Sequence, residues 1–199
     1  SIAMKLADIE IILKANPKQV VIIDEAYAAF KTKYESAVEL VNKYPNLIVV
    51  QTLSKAYGLA GLRVGIAIGN TELIEGLLKV RDSFNSYPVD RLAQKVAAAA
   101  LLDVENYENN RKALICTREK ASEELKAMGF VVPESSANFV FVKPPEAITA
   151  ECLYKKLREK GILVRYFNKP LINEYLRISI GTQQEMDLLI AAIREELSL

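Results

Sequence analysis

The chain has 199 residues, 51% of them hydrophobic, and a formal net charge of +1 from 26 basic and 25 acidic side chains, the profile of an ordinary soluble globular protein of one or two domains. The basic residues are not massed in one run, so the electrostatic footprint of a nucleic-acid binder is missing; no apolar stretch is long enough to span a bilayer, and no leader with a basic start and apolar middle is present, which points to the cytoplasm. Histidine is absent, which excludes histidine-dependent triads and the common imidazole metal sites; Cys116 and Cys152 lack metal-ligand spacing and read as free thiols, so no metal is expected.

The first residues, SIAM, read as a tag remnant ahead of a native stretch beginning near Met4 or Lys5. KLADIEIILKANP is an amphipathic helix stopped near Pro17, followed by a strand over 19–24, a helical stretch over 33–43, and strands over 47–53 and 64–69. Asn70 or Thr71 caps the next helix, SYP at 86–88 is a break, and a long helix-forming stretch runs from Asp90 to Met128 with an interruption expected near Asn106 to Asn110. Strands come next over 139–143, 162–167 and 175–180 with helices between them, and Thr182 with Glu185 forms a capping box for the last helix. Strand and helix alternate in the manner of an α/β protein, with no internal repeat and no low-complexity segment.

Two of these strands end in chemistry. LIVVQTL at 47–53 is apolar and β-branched, as a strand buried in a mostly parallel sheet would be, and the carboxyl ends of such strands are where ligands collect. Thr52 and Ser54 are two apart, so on extended chain their hydroxyls leave one face and can bond one phosphate together. Lys55 comes immediately after. Gly58 and Gly61 allow a sharp turn or a close backbone approach, and Arg63 supplies a planar fork of donors suited to phosphate oxygens. Upstream, QVVIIDEAY ends its strand in Asp24, Glu25 and Tyr27, with carboxylates that are either functional or simple caps of the next segment. Taken alone, Lys55 reads as a solvated surface lysine; the joint occurrence favours a site that presents one amine beside an anion-binding loop.

DEAYAAF at 24–30 and TLSKAYGLAGLRVG at 52–65 resemble the paired signatures of the class I/II aminotransferases, the fold-type I enzymes that depend on pyridoxal phosphate. Within that group the likeness is greatest to the histidinol-phosphate aminotransferases and continues through SSANFVFVK, GILVRYF and LRISIGT. The resemblance implies an α/β fold in which a truncated large transferase domain, a mostly parallel sheet with helices over 1–112, precedes a small α+β carboxyl-terminal domain over 113–199. It implies that Lys55 forms a Schiff base with the cofactor aldehyde and then moves the substrate proton. Asp24 matches the buried aspartate that keeps the pyridine nitrogen protonated, Tyr27 the tyrosine at the phenolic oxygen, and Thr52, Ser54 and Arg63 the phosphate-binding group. Arg165 and Arg177 match the arginines that serve the substrate phosphate; the other reading is that they cap strand ends at a solvated edge. Asn138 recurs in the pattern as a loop-holding residue.

The reaction implied is exchange of an amino group between histidinol phosphate and 2-oxoglutarate, giving imidazole-acetol phosphate and glutamate. A threonine-phosphate decarboxylase or another class I/II aminotransferase shares these motifs, and an inactive carboxyl-terminal fragment is the non-enzyme alternative. Members of the family are about twice as long, and the part before QVVIIDEAY normally supplies another phosphate loop, a ring stacked on the cofactor, an asparagine and an intersubunit arm, none of which is found here. Two or three lost contacts of about 1.5 kcal/mol each would weaken cofactor binding roughly a thousandfold. Sheet edges left uncovered predict a homo-oligomer, expected to be a dimer.

Overall fold

The computed structural model describes residues 2–33, 35–85, 87 and 89–198. Ser86 and Pro88 of the expected break, and Ser1 of the expected tag remnant, lie outside the described residues. The chain divides into two compact units, one made of Ala3–Ala29 and Lys33–Asn110, the other of Ser1–Ile2, Phe30–Thr32 and Arg111–Leu199.

In the first of these, helix α1 (Leu6–Ala15) turns Ile9 and Leu13, one helical turn apart, into a cluster with Ala37, Leu47 and Val49. The Asn16 side chain closes the helix by donating to the Ile12 carbonyl at 2.8 Å, and Pro17 prevents its continuation. Strand β1 (Val21–Asp24) pairs parallel with β2 (Leu47–Thr52), and β2 pairs antiparallel with β3 (Gly65–Gly69), in the order β1-β2-β3. The expected α/β architecture is present, with parallel pairing confined to β1 and β2. Between Leu53 and Val64 there is only the three-residue 3-10 turn Ala60–Leu62, too little for a crossover, so β3 returns antiparallel.

The helix expected over 33–43 is reduced to a 3-10 turn, Ala37–Leu40. Its entry is taken over by side chains: the Ser36 hydroxyl accepts the Val38 N–H at 3.1 Å, and the Ala37 N–H goes to the Glu25 carboxylate at 2.7 Å. Asn70 caps α2 (Thr71–Phe84) and Asp90 caps α3 (Arg91–Leu102), each accepting a backbone N–H of the first turn. The interruption expected near 106–110 falls earlier, at Asp103, before α4 (Val104–Ala127). Asp103 accepts the Asn106 N–H at 3.2 Å, so it starts a new helix, while Asn106 and Asn110 lie a turn apart within α4 and bond each other at 3.3 Å.

The other unit holds the antiparallel sheet β4 (Phe139–Val142), β6 (Leu176–Ser179) and β5 (Arg165–Tyr166), ordered β4-β6-β5, with α5 (Ala150–Glu159) and α6 (Gln183–Leu197). Leu125, Val140, Val142, Leu153, Leu157, Leu176, Ile178 and Ile193 are sealed from solvent in its core. Gly161, at φ +77°, ends α5 in the left-handed region and lets Ile162 return its N–H to the Leu157 carbonyl at 2.9 Å. The capping box on α6 is present in full: the Thr182 hydroxyl accepts the Glu185 N–H at 3.3 Å and the Glu185 carboxylate accepts the Thr182 N–H at 2.7 Å.

Arg118 of α4 is buried and donates to the Phe30 and Ala137 carbonyls at 2.8 and 2.9 Å. Burial draws its guanidinium below the ordinary arginine value, with Glu119 and Glu134 acting the other way. Among the described residues, no helix is long and apolar enough to cross a membrane.

Candidate functional site

Because β1 and β2 run parallel with Asp24 opposite Val50, both strands end at one edge of the sheet; Gly65 of antiparallel β3 sits opposite Thr52, so the loop before it opens at that same edge. Topology alone therefore brings Asp24, Tyr27, Thr52, Ser54, Lys55 and Arg63 to one end of one sheet. The two motifs meet in space, with the Lys55 ammonium 5.4 Å from the centroid of the Tyr27 ring.

Asp24 lies on the open face of β1, as exposed Ile22 two residues before it does, and its carboxylate accepts the Ala26 N–H at 2.9 Å. It thus caps the turn that carries Tyr27, and it is exposed where the resemblance calls for a buried carboxylate. Past the end of β2, Leu53 is buried and anchors the loop, whose closure is the Leu59 N–H on the Leu53 carbonyl at 3.0 Å. Thr52 accepts the Ser54 N–H at 3.1 Å, and Gly58 donates to the Lys55 carbonyl at 3.0 Å from φ +68°, a conformation that favours glycine. Arg63 ends the 3-10 turn at φ +56°, left-handed for a residue with a Cβ, and leaves its side chain exposed with one bond to the Ala60 carbonyl at 3.1 Å. Holding a non-glycine residue there costs on the order of 1 kcal/mol, which directs attention to its side chain.

Behind this edge lies a cavity of about 340 Å³ lined by Glu25, Gln51, Thr52, Tyr57 and Tyr107, among others. Glu25 alternates with Asp24 and faces inward, 7% exposed, accepting from the Ala37 N–H, the Ser36 hydroxyl at 2.8 Å and the Gln51 amide at 2.9 Å. Tyr57 stacks on Tyr107 with centroids 4.5 Å apart, and burial pushes its phenol up. The motifs did not single out Gln51, Ser36, Tyr57 or Tyr107. Gln51 was reachable from strand alternation, which sets it on the face opposite Thr52; the Tyr57 to Tyr107 stack joins residues too far apart in sequence for spacing to reveal.

The second sheet sets Arg165 directly opposite Arg177 in the β5–β6 register. Like charges in that position repel unless an anion or a ring face intervenes. Here rings do so: Arg165 lies 5.4 Å from the Phe167 centroid, and Arg177 lies 5.3 Å from Phe139 and 5.8 Å from Phe167. Arg177 also lines a cavity of about 370 Å³ with Phe139, Phe141 and Phe167, whereas Arg165 is exposed on the edge strand β5. Asn138 holds its loop through the backbone, its carbonyl accepting the Ile180 N–H at 2.9 Å. Among the described residues no three His, Cys, Asp or Glu side chains are grouped to hold a metal ion, and Cys116 and Cys152 are exposed free thiols.

An amine, a carboxylate, a phenol, two hydroxyls and a guanidinium at one sheet end make a donor set whose chemistry fits a phosphorylated pyridine aldehyde. Comparison with known proteins agrees in kind. The chain is 53% identical over 194 residues to a histidinol-phosphate aminotransferase of Marinomonas sp. (strain MWYL1), covering 96% of this chain and 54% of that protein. It is similar to the crystal structure of histidinol-phosphate aminotransferase from Sinorhizobium meliloti in complex with pyridoxal-5'-phosphate, at 28% identity and a TM-score of 0.80, over 94% of this chain and 52% of that one. A decarboxylase from Sulfurospirillum multivorans is similar at 28% identity and a TM-score of 0.86, over 98% and 57% of the two chains. The chain therefore spans about half the length of the curated relatives it matches. The family model described as aminotransferase class I and II matches residues 2–193, and with that extent of agreement the chain belongs to the class I and II aminotransferases.

Proposed function

We propose that the protein is a pyridoxal-phosphate-dependent aminotransferase that exchanges an amino group between histidinol phosphate and 2-oxoglutarate. The observation that carries this reading is the meeting of Lys55, Tyr27 and Asp24 at one sheet end, in a chain 53% identical to a protein named for that activity. When bound, the cofactor supplies an electron sink for the bond broken at the substrate carbon. Lys55 would hold the cofactor at its aldehyde through the side-chain amine, and that amine would be the group that moves the proton at the substrate's reacting carbon. Asp24 holds a proton at the ring nitrogen, and Tyr27 offers its hydroxyl to the phenolic oxygen. Thr52, Ser54 and Arg63 bind the cofactor phosphate, where the guanidinium fork supplies paired donors. Arg165 and Arg177 bind the phosphate of the substrate, two cations for a dianion.

A threonine-phosphate decarboxylase is the second reading, and the likeness to the Sulfurospirillum multivorans structure supports decarboxylation in kind but names no substrate. The exposed Val20, Ile22, Val80, Phe84, Leu92 and Leu102, each at least half accessible, support self-association of the chain.

The test is titration of the 199-residue chain with pyridoxal phosphate, borohydride reduction and mass mapping of the labelled lysine. Label confined to Lys55 and lost in Lys55→Ala supports the reading; label spread over surface lysines, or none, overturns it. Assay of glutamate and of carbon dioxide release from the matching phosphorylated substrates then separates the two reactions.

A further inference from the structure

The carboxylate of Glu25 has no part in the chemistry just described, yet it is the most enclosed acidic group of the first unit. It is the residue directly after Asp24. Strand alternation sends the two carboxylates to opposite faces, Asp24 to the open side and Glu25 to the side where the strands pack. One Glu25 oxygen takes the Ala37 N–H at 2.7 Å; the other takes the Ser36 hydroxyl at 2.8 Å and the Gln51 amide at 2.9 Å. Ser36 in turn accepts the Val38 N–H at 3.1 Å, and the Glu25 backbone N–H continues the ladder to the Val50 carbonyl at 2.8 Å. A single buried carboxylate thus joins the end of β1, the turn at 36–38 and the end of β2.

We propose that Glu25 is a positioning residue: acting from behind the sheet, it fixes the end of β1, where Asp24 sits, against the end of β2, where Thr52, Ser54 and Lys55 begin. This rests on the aminotransferase reading. The chemistry of the clamp supports it. A buried carboxylate is costly unless its oxygens are matched by donors, so where only packing is needed an apolar residue serves as well. Here three donors from two other segments converge on it, and loss of any one leaves a buried polar group to find another partner. Gln51 is the link that matters most, because its backbone leads straight into Thr52, whose hydroxyl accepts from Ser54 and starts the Lys55 loop. The cavity of about 340 Å³ beside Glu25 and Gln51 gives the side chains room to move apart once the bonds are lost.

The experiment compares the parent chain with Glu25→Gln, Gln51→Ala and the exchange variant Glu25→Gln/Gln51→Glu. Glu25→Gln keeps shape but turns an amide donor toward groups that donate. Amide hydrogen exchange without cofactor should quicken roughly tenfold or more at residues 37–38 and 50–54 in Glu25→Gln and in Gln51→Ala, and slow again in the exchange variant, which restores a carboxylate facing an amide. Pyridoxal phosphate affinity should fall roughly tenfold to hundredfold in the two single variants, with the pH midpoint of the bound-cofactor absorbance displaced. Lowered melting temperature with unchanged local exchange, unchanged cofactor affinity and an unchanged midpoint would mean that Glu25 only packs, and would overturn the proposal. If Glu25→Gln does not fold, Gln51→Ala decides by the same readouts. If the parent itself forms no reducible bond at Lys55, the aminotransferase reading fails, while the exchange rates at 50–54 still report whether Glu25 fixes the strand ends.

Discussion

Arg63 is the residue at which backbone and side chain disagree. Its φ of +56° suits glycine, and its exposed guanidinium makes one local bond, to Ala60, so the conformation is not maintained by packing. Arg63→Gly should leave stability unchanged or raise it by up to about 1 kcal/mol in thermal unfolding, because the left-handed strain is removed against a modest entropy loss. Phosphate-dependent binding of pyridoxal phosphate should fall at the same time, measured against pyridoxal, which lacks the phosphate. A drop in stability with no change in the preference between the two would show that Arg63 serves the turn alone. At this scale the sequence singled out Lys55 and Arg63 only through the motif they share, and the left-handed φ of Arg63 was not legible in it. For Gln51 it gave the face, through strand alternation, but not the partner, a carboxylate 26 positions away.

At the level of elements, the sites where sequence and structure part company are decided by caps. The stretch from Asp90 onward has helical character throughout, and the asparagines at 106–110 suggest a break on propensity grounds. Asp103 wins instead, since a carboxylate that accepts the Asn106 N–H starts a helix more strongly than asparagines interrupt one. Asp103→Ala should cost about 1 kcal/mol and increase hydrogen exchange in the first turn of α4, without affecting the last. The helix expected over 33–43 is reduced to the 3-10 turn Ala37–Leu40, whose entry is set by a tertiary bond to Glu25 that no local pattern contains. The capping box at Thr182 was legible because both halves of it are three residues apart. Its Glu185 carboxyl is held below the usual glutamate range by the Thr182 backbone N–H first and the Thr182 hydroxyl second. A carboxyl lowered in the folded state stabilises above its unfolded value, and that contribution disappears as the pH falls through the lowered one. Acid should therefore loosen α6 in the parent chain, with a shallower dependence in Glu185→Gln when helix content is tracked from neutral pH downward.

For the whole molecule, the strands were legible, though the one expected over 162–167 is only Arg165–Tyr166, and the path of the chain was not. Periodicity finds β1, β2 and β3 because each is short and apolar; it cannot tell that residues 30–32, lying between the first two, belong to the unit built from residue 111 onward. That three-residue excursion is held by Arg118 on the Phe30 carbonyl at 2.8 Å and by Arg111 on the Lys31 carbonyl at 3.2 Å. The gene segment for 111–199 consequently does not encode everything its own unit is made of. A peptide cut between Asn110 and Arg111 leaves Arg118 with the Ala137 carbonyl but without that of Phe30, and a buried donor so deprived costs about 1–3 kcal/mol. The two pieces should then recover that stability only when mixed, as complementing fragments do, and a short synthetic peptide carrying Phe30, Lys31 and Thr32 should raise the melting point of the 111–199 piece. The two units are separate as compact bodies yet inseparable as sequences.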